Sequence, residues 1–354
     1  MIYIKNPLHF FRVLINIVKL ELMSSLVTEL VKAQIILEGL AVSSYESRLE
    51  TMRKIERNLK SNIITLVYNT SNTRFKTQFA SDVLTSLNDL LKSIPVRRLK
   101  RSVTLVSHSS GGFMDVIGSF IYLIRKKFDV FQVAVPDISH SAATLLCFGA
   151  DSILMSDLSS LSPVDPQVSL KTKAGMIGAG AEDINGYYSL IDGMFKDDSA
   201  KIQAFNALIS RFPAEVLGQL ERIQKQAKMV ATKALRYHIT EEKVIEDIVR
   251  KFQTEFFSHN YRIHYDEAKK LGLKVQPMNK NIEILCSGLL KQYQSVSGNQ
   301  ADLEIEIPDE SPYQEFIMNR AYLECLHSSF SYKTRYRVFK DKKVELEELG
   351  WSKN

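Results

Sequence analysis

Val103-Thr104-Leu105-Val106-Ser107-His108-Ser109-Ser110-Gly111-Gly112 is a β-branched run that stops at a paired-glycine turn, and Phe113 to Lys127 follows with helical periodicity. Strand, turn and helix in that order are the repeating unit of a parallel α/β sheet. Upstream, Ile63-Ile64-Thr65-Leu66-Val67-Tyr68 reads as a buried strand ended by Asn69 and Ser71, with a helix from Ala80 to Ser93 closed by Pro95. Downstream, Val130 to Val135 is a strand stopped by Pro136. Ser141 to Phe148 is a buried helix, and Ser152-Ile153-Leu154-Met155 is a further strand. This alternation predicts a largely parallel sheet covered by helices.

Beyond Gln167 the pattern turns helical, around Ile184 to Leu190, Ser199 to Arg211, Pro213 to Ala234 and Glu241 to Phe257. Shorter helices are expected at Glu267 to Leu271 and Asn281 to Tyr293. The acidic, polar stretch from Gly298 to Pro312 reads as a linker, Ser329 to Phe339 as a strand, and the end as a charged tail. At the other end, Pro7 to Lys60 is read as helical. Arg12, Lys19, Glu21 and Glu29 interrupt its apolar run, which falls short of the roughly 20 apolar residues of a membrane span. An amphipathic helix packing on the protein body or another subunit is preferred to one lying on a membrane surface. No cleavable signal is evident. The expected division is a helical N-terminal arm (1–60), an α/β domain (61–295), and a linker with a C-terminal extension (296–354).

The chain has 354 residues, 45% hydrophobic and 24% charged, enough to bury a sizeable core. Its net charge of +6 does not demand an anionic partner, and Arg97-Arg98-Leu99-Lys100-Arg101 is read as a solvated loop, so no nucleic acid is expected. Cys147, Cys286 and Cys325 lie far apart in apolar stretches, which suits core thiols in a reducing, cytoplasmic compartment. Neither metal-ligand spacing nor a phosphate-binding P-loop occurs, so no cofactor is expected.

Three motifs carry chemistry. Ser107-His108-Ser109-Ser110-Gly111-Gly112 can expose backbone N–H groups to a ligand oxygen, although a strand-to-helix turn needs glycine for structural reasons alone. Val135-Pro136-Asp137-Ile138-Ser139-His140-Ser141-Ala142-Ala143-Thr144 places Ser141 at a helix start, as a cap or as a nucleophile beside unpaired N–H groups. Leu161-Ser162-Pro163-Val164-Asp165-Pro166-Gln167 fixes a carboxylate between two prolines, as a hydrogen-bonding hub or a groove wall, with the hub preferred.

In this order the motifs resemble the serine dehydrogenase proteinases, relatives of the signal peptide peptidase A group within the ClpP/crotonase superfamily. Members carry a His-Thr-Pro-Gly-Gly-like turn, then Val-Pro, a Ser-Ala-Gly/Ala-Thr segment, an Ala-Asp-x-Ile-x-Met strand and a Gly/Ser-Pro-Ile-Asp-Pro-Gln turn. Here the strand motif is Ala150-Asp151-Ser152-Ile153-Leu154-Met155, and the likeness continues through Ser258-His259-Asn260 and Glu267-Ala268-Lys269-Lys270-Leu271-Gly272-Leu273, covering roughly residues 60 to 295. The resemblance implies a ClpP/crotonase-like α/β fold of stacked ββα units with a mainly parallel sheet, a helical N-terminal arm and a helical C-terminal part. It also implies assembly into a homo-oligomer acting on peptide or protein substrates.

Carried over residue by residue, Ser141 matches the nucleophile that would form an acyl-enzyme. The N–H groups of Gly111 or Gly112 and of Ala142 would form the oxyanion hole. Signal peptide peptidase A relatives use a lysine base. Lys171, Lys173, Lys196 and Lys201 are candidates, with Lys196 first because Gly193-Met194-Phe195-Lys196-Asp197 resembles a Gly-x-x-Lys-Asp stretch of those relatives, and Lys201 second. His259 is the rival base, as an imidazole titrates near neutrality without special burial. His108 would line the groove. Departures from the pattern are His108-Ser109-Ser110 for His-Thr-Pro, Ala143 for glycine, and Asn260 where aspartate or glycine is expected; the last weakens a His259 dyad needing an orienting carboxylate. The expected function is serine peptidase; the alternatives are an inactive oligomeric scaffold or binding protein on the same fold and acyl-CoA chemistry.

Overall fold

The computed structural model describes residues 45–70, 77–95, 101–172, 175–210, 214–256, 258–297, 311–341 and 343–354. The chain divides into a first unit, Met1–Arg48, and a second, Leu49–Asn354, which carries the sheet. Most of the expected N-terminal arm, residues 1–44, and most of the expected Gly298–Pro312 linker, residues 298–310, lie outside the described residues. Helix α1, Tyr45–Leu59, leads into the first strand.

The central sheet grows from runs too apolar to face water on either side. β1 (Asn62–Tyr68), β2 (Ser102–His108), β3 (Val130–Val135), β5 (Ser152–Met155) and β9 (Val275–Pro277) pair in parallel in that order. Parallel strands need crossovers, and helices α2 (Val83–Ser93) and α3 (Asp115–Lys127) supply the first two. α3 buries Val116, Ile117, Phe120, Ile121 and Ile124, the stripe a helix turns toward a sheet. Its last turn sends Arg125 to Asp151 in a two-pronged pair at 2.7 and 3.0 Å, while Asp151 also accepts the Phe131 N–H at 2.8 Å. That carboxylate thereby ties α3, β3 and the start of β5 together.

Between β3 and β5 the chain makes a two-residue strand β4 (Ile138–Ser139) and helix α4 (Ala142–Phe148), buried along its whole length. After β5 come β6 (Ser160–Leu161), which pairs with β4, and a hairpin of β7 (Gln167–Thr172) and β8 (Gly175–Gly180). Helices α5 (Ala181–Met194), α6 (Asp198–Ile209), α7 (Ala214–Leu235), α8 (Glu242–Thr254), α9 (Tyr265–Lys270) and α10 (Lys280–Val296) complete the helical part. The hairpin and β9 were not expected. β7–β8 is rich in glycine, which has low strand propensity, and β9 is three residues long.

The end of the chain is strand, not charged tail. β10 (Tyr313–Cys325), β11 (Ser328–Phe339) and β12 (Val344–Lys353) form an antiparallel meander, and β10 pairs with β1 so that the sheet reaches eight strands, β12-β11-β10-β1-β2-β3-β5-β9. The residues from 313 onward, expected as an extension, are thus continuous with the central sheet. Their charges are used across strands: Arg335 and Arg337 each pair with both Glu315 and Glu347.

Candidate active site

Short backbone ladders bring the three motifs together at the C-terminal end of the parallel strands. Ser109 N–H donates to the Ile138 carbonyl at 3.1 Å, and His140 N–H returns to the Ser109 carbonyl at 3.0 Å, joining the glycine turn to the segment before Ser141. Ser160 N–H donates to the Asp137 carbonyl at 2.7 Å, adding the third motif alongside. Leu161 and Ile263 exchange two hydrogen bonds of 2.9 Å, which lays the Ser258–His264 segment on top.

Ser141 sits at φ +51°, ψ −119°, left-handed backbone that a non-glycine residue adopts only when its surroundings impose it. What imposes it is visible. Its N–H donates to Ser162 Oγ at 2.7 Å, its carbonyl accepts Leu145 N–H at 3.2 Å to start α4, and Thr144 Oγ1 bridges the Ser139 carbonyl and the Ser162 N–H. Gly111, at φ +104°, lies directly against this serine: a Cβ there would stand 2.6 Å from Ser141 Cβ. At Gly112 a Cβ would come within 2.3 Å of Phe79 backbone. Phe79 N–H donates to the Gly111 carbonyl at 3.0 Å and its carbonyl accepts Phe113 N–H at 2.8 Å, so both glycines are required by close approach.

The N–H groups sort the two glycines. Gly111 N–H donates to Ser109 Oγ at 3.0 Å, whereas the N–H groups of Gly112 and Ala142 meet no acceptor among the described residues. Ser141, Gly112 and the site's outer face are part-exposed, while Gly111 and Ala142 are buried. The site therefore offers a part-exposed serine with two uncommitted backbone donors among the residues of its own and the neighbouring turn.

Imidazoles gather around it. His259 Nδ1 is 2.7 Å from Asp165 Oδ1, with side chains 23% and 15% exposed. The carboxylate that position 260 lacks comes instead from Asp165, which places the hub residue in contact with the candidate base. His140 Nε2 bonds Ser160 Oγ at 3.0 Å, and burial, reinforced by Arg262, His108, His259 and His264, pulls its pKa down to about 4. His108 bonds Thr70 Oγ1 through Nε2 at 2.8 Å, stands 3.7 Å from Asp137 through Nδ1, and burial lowers it to about 4 as well. Both are neutral near pH 7 and occupied sideways. His264 Nδ1 bonds the Ser159 carbonyl at 2.9 Å. His264, Ser160, Ser162 and Arg262 were not singled out in the sequence; only the Leu161–Gln167 motif hinted at Ser162.

Of the candidate lysines, Lys201 is committed to a carboxylate and Lys196 follows a long helix. Lys201 Nζ bonds Asp192 Oδ1 at 2.5 Å, and that bond raises its pKa, the wrong direction for a base. Lys196 is exposed beyond the far end of α5, roughly 20 Å along the helix from Gly180 at 1.5 Å per residue. Gly180 is the end near Asp165. Lys171 lies in β7, and Lys173 is outside the described residues. Among the described residues no cluster of side chains could hold a metal ion, and no helix is long and apolar enough to cross a membrane.

Two proteins of Methanocaldococcus jannaschii are similar in sequence. The uncharacterized protein MJ0137 is 22% identical over 240 residues, 65% of this chain and 73% of its own; the uncharacterized protein MJ1495 is 20% identical over 253 residues, 71% and 78%. Among solved structures, a serine-to-alanine mutant of the 1510-N membrane-bound stomatin-specific protease aligns with 13% identity and a TM-score of 0.34, over 62% of this chain and 81% of that one. A lysine-to-alanine mutant of the same protease, in complex with a substrate peptide, aligns with 15% identity and a TM-score of 0.34, over 58% and 74%. The model of the ClpP-like SDH-type serine proteinases matches residues 18–315, which contain every motif of the site, and the chain belongs to that family.

Proposed function

We propose that this protein is a serine peptidase that cleaves peptide bonds in extended polypeptide through a Ser141 acyl-enzyme, with His259 as general base. The observation that carries the reading is the pairing of a strained, part-exposed Ser141 with an Asp165-held imidazole in the same cluster of loops. With Nδ1–H donated to Asp165, His259 presents Nε2 as the basic nitrogen. In the proposed sequence Nε2 takes the Ser141 proton as Oγ attacks the scissile carbonyl. The resulting oxyanion accepts from the N–H groups of Gly112 and Ala142. His259 then returns the proton to the leaving amine, and a water activated by the same imidazole hydrolyses the ester.

The contact between Ser141 Oγ and His259 that this sequence of steps needs is one that substrate binding tightens. Neither lysine proposal gains support within one chain, since Lys201 is paired and Lys196 is exposed past the end of α5. Assembly into a homo-oligomer is supported by exposed apolar side chains on α5 and α6, among them Leu190, Met194 and Ile202. Buried free thiols at Cys147, Cys286 and Cys325 suit a reducing, cytoplasmic location.

Cleavage of an unfolded protein substrate tests the assignment of roles. Ser141→Ala and His259→Ala should each lower kcat at least about a thousandfold, and Asp165→Asn by a smaller factor with the alkaline side of the pH profile retained. Wild-type rates in His259→Ala would remove the imidazole from the mechanism and return the base to a lysine.

A further inference from the structure

Outside the serine cluster, Arg320 in β10 is a buried cation that forms no ion pair among the described residues. Its side chain belongs to a residue only 1% exposed. Nε donates to Thr77 Oγ1 at 3.0 Å and Nη1 to Tyr336 Oη at 2.7 Å, while Nη2 meets no acceptor among the described residues. The guanidinium lies 5.9 Å from the Tyr336 ring centroid. Burying a guanidinium without a counter-charge is costly, and an apolar residue of similar volume would serve packing better. The arginine is therefore better suited to binding than to holding the sheet.

Arg320 lines a cavity of about 230 Å³ between the meander and the Thr77–Asp82 stretch. That is smaller than a site for a drug-sized molecule and fits one side chain or a chain terminus. Two acids share the cavity but are turned to other partners, Asp82 to Trp351 and Glu348 to Tyr332, and neither is among the groups that act on Arg320. Their charges oppose a dianion such as phosphate about twice as strongly as a singly charged carboxylate, which makes the carboxylate the better-matched anion for the guanidinium. A planar carboxylate also suits the guanidinium fork.

The cavity's position gives it a role. Gln78 and Ala80 in its wall flank Phe79, whose backbone holds the Gly111 carbonyl and the Phe113 N–H, and Phe113 itself lines the cavity. The wall is thus the reverse side of the glycine turn that faces Ser141. We infer that this cavity is a carboxylate-binding subsite for the polypeptide that the serine centre acts on, taking either its C-terminus or an acidic side chain; the identity of the ligand as substrate rests on the peptidase reading above.

Isothermal titration of the full-length Ser141→Ala protein with three small peptides tests it. The probes are N-acetyl-Ala-Ala with a free terminal carboxylate, its C-terminal amide, and N-acetyl-Ala-Asp-Ala-amide. A carboxylate-bearing probe should bind at least about tenfold more tightly than the neutral amide, and the better of the two acids identifies terminus or side chain. Arg320→Met should erase that preference, and the milder Thr77→Val, which frees Nε, should weaken it severalfold. Equal affinity of acid and amide, or no binding by any probe at millimolar concentration, overturns the inference. So does a preference that survives Arg320→Met or, if that variant does not fold, is unchanged in Thr77→Val. Because binding is read in a protein without the serine hydroxyl, loss of the peptidase reading would leave this result standing, and failure of binding would leave serine labelling of the native chain intact.

Discussion

At the scale of single residues the site depends on backbone geometry more than on side-chain identity. Gly111 is held at φ +104° with Ser141 against its missing Cβ. Gly111→Ala should therefore abolish activity and lower the melting temperature, since the atoms its Cβ would meet, Ser141 Cβ, the His140 carbonyl and the Ala142 nitrogen, are not the free end of a flexible side chain. Circular dichroism melts beside an activity assay check both effects. The histidines add a pH dependence. Burial holds His108 and His140 near 4 in the folded chain against an ordinary value of 6.5. Between those values the unfolded chain binds protons that the folded one refuses, so stability is intact above about pH 6.5, falls as pH drops toward 4, and loses nothing more below. For His108, almost fully buried, the loss is on the order of 3 kcal/mol. Melting temperature followed from pH 7 to pH 4 should show this decline, and His108→Gln should flatten it. The sequence singled out Ser141, His259, Asp165 and both glycines, because they are chemically distinctive at rigid turns. It did not join His259 to Asp165, which are 94 positions apart. That contact arises only when the Leu161–Ile263 bridge folds one loop over the other.

At the scale of elements, the strand–turn–helix units were legible because buried parallel strands read as uninterrupted β-branched runs. The elements that escaped reading carry the opposite signals. β12 contains Val344-Glu345-Leu346-Glu347-Glu348, where charge suggests solvent, yet Glu347 meets Arg335 and Arg337 across the ladder. One charged residue whose motif was recognised has an element-scale task. Asp151 joins α3 to β3 through Arg125 and the Phe131 N–H. Asp151→Ala leaves a half-buried guanidinium and a backbone donor unpaired, and should cost about 2 to 4 kcal/mol in a denaturant titration. A cost under about 0.5 kcal/mol would place the pair among surface bridges of little consequence.

At the scale of the whole molecule, the parallel strands β2, β3 and β5 deliver three loops to one end of the sheet, where the Ser258–His264 segment after α8 joins them around Ser141. The antiparallel meander extends the opposite edge beside β1 and closes the wall behind the glycine turn. Buried Glu324 joins this addition to the core, bonding Tyr293 of α10 at 2.7 Å, while Tyr293 bonds Thr65 of β1 at 2.6 Å. Family membership and fold place the chain among serine proteinases; whether its own hydroxyl is reactive is the central claim. The most direct measurement is treatment of the native protein with a fluorophosphonate probe, followed by peptide mass mapping and comparison with Ser141→Ala. The account predicts a single adduct on Ser141 that is absent from the variant and much reduced in His259→Ala. A folded native protein that takes up no probe, or one labelled equally with and without Ser141, would contradict it.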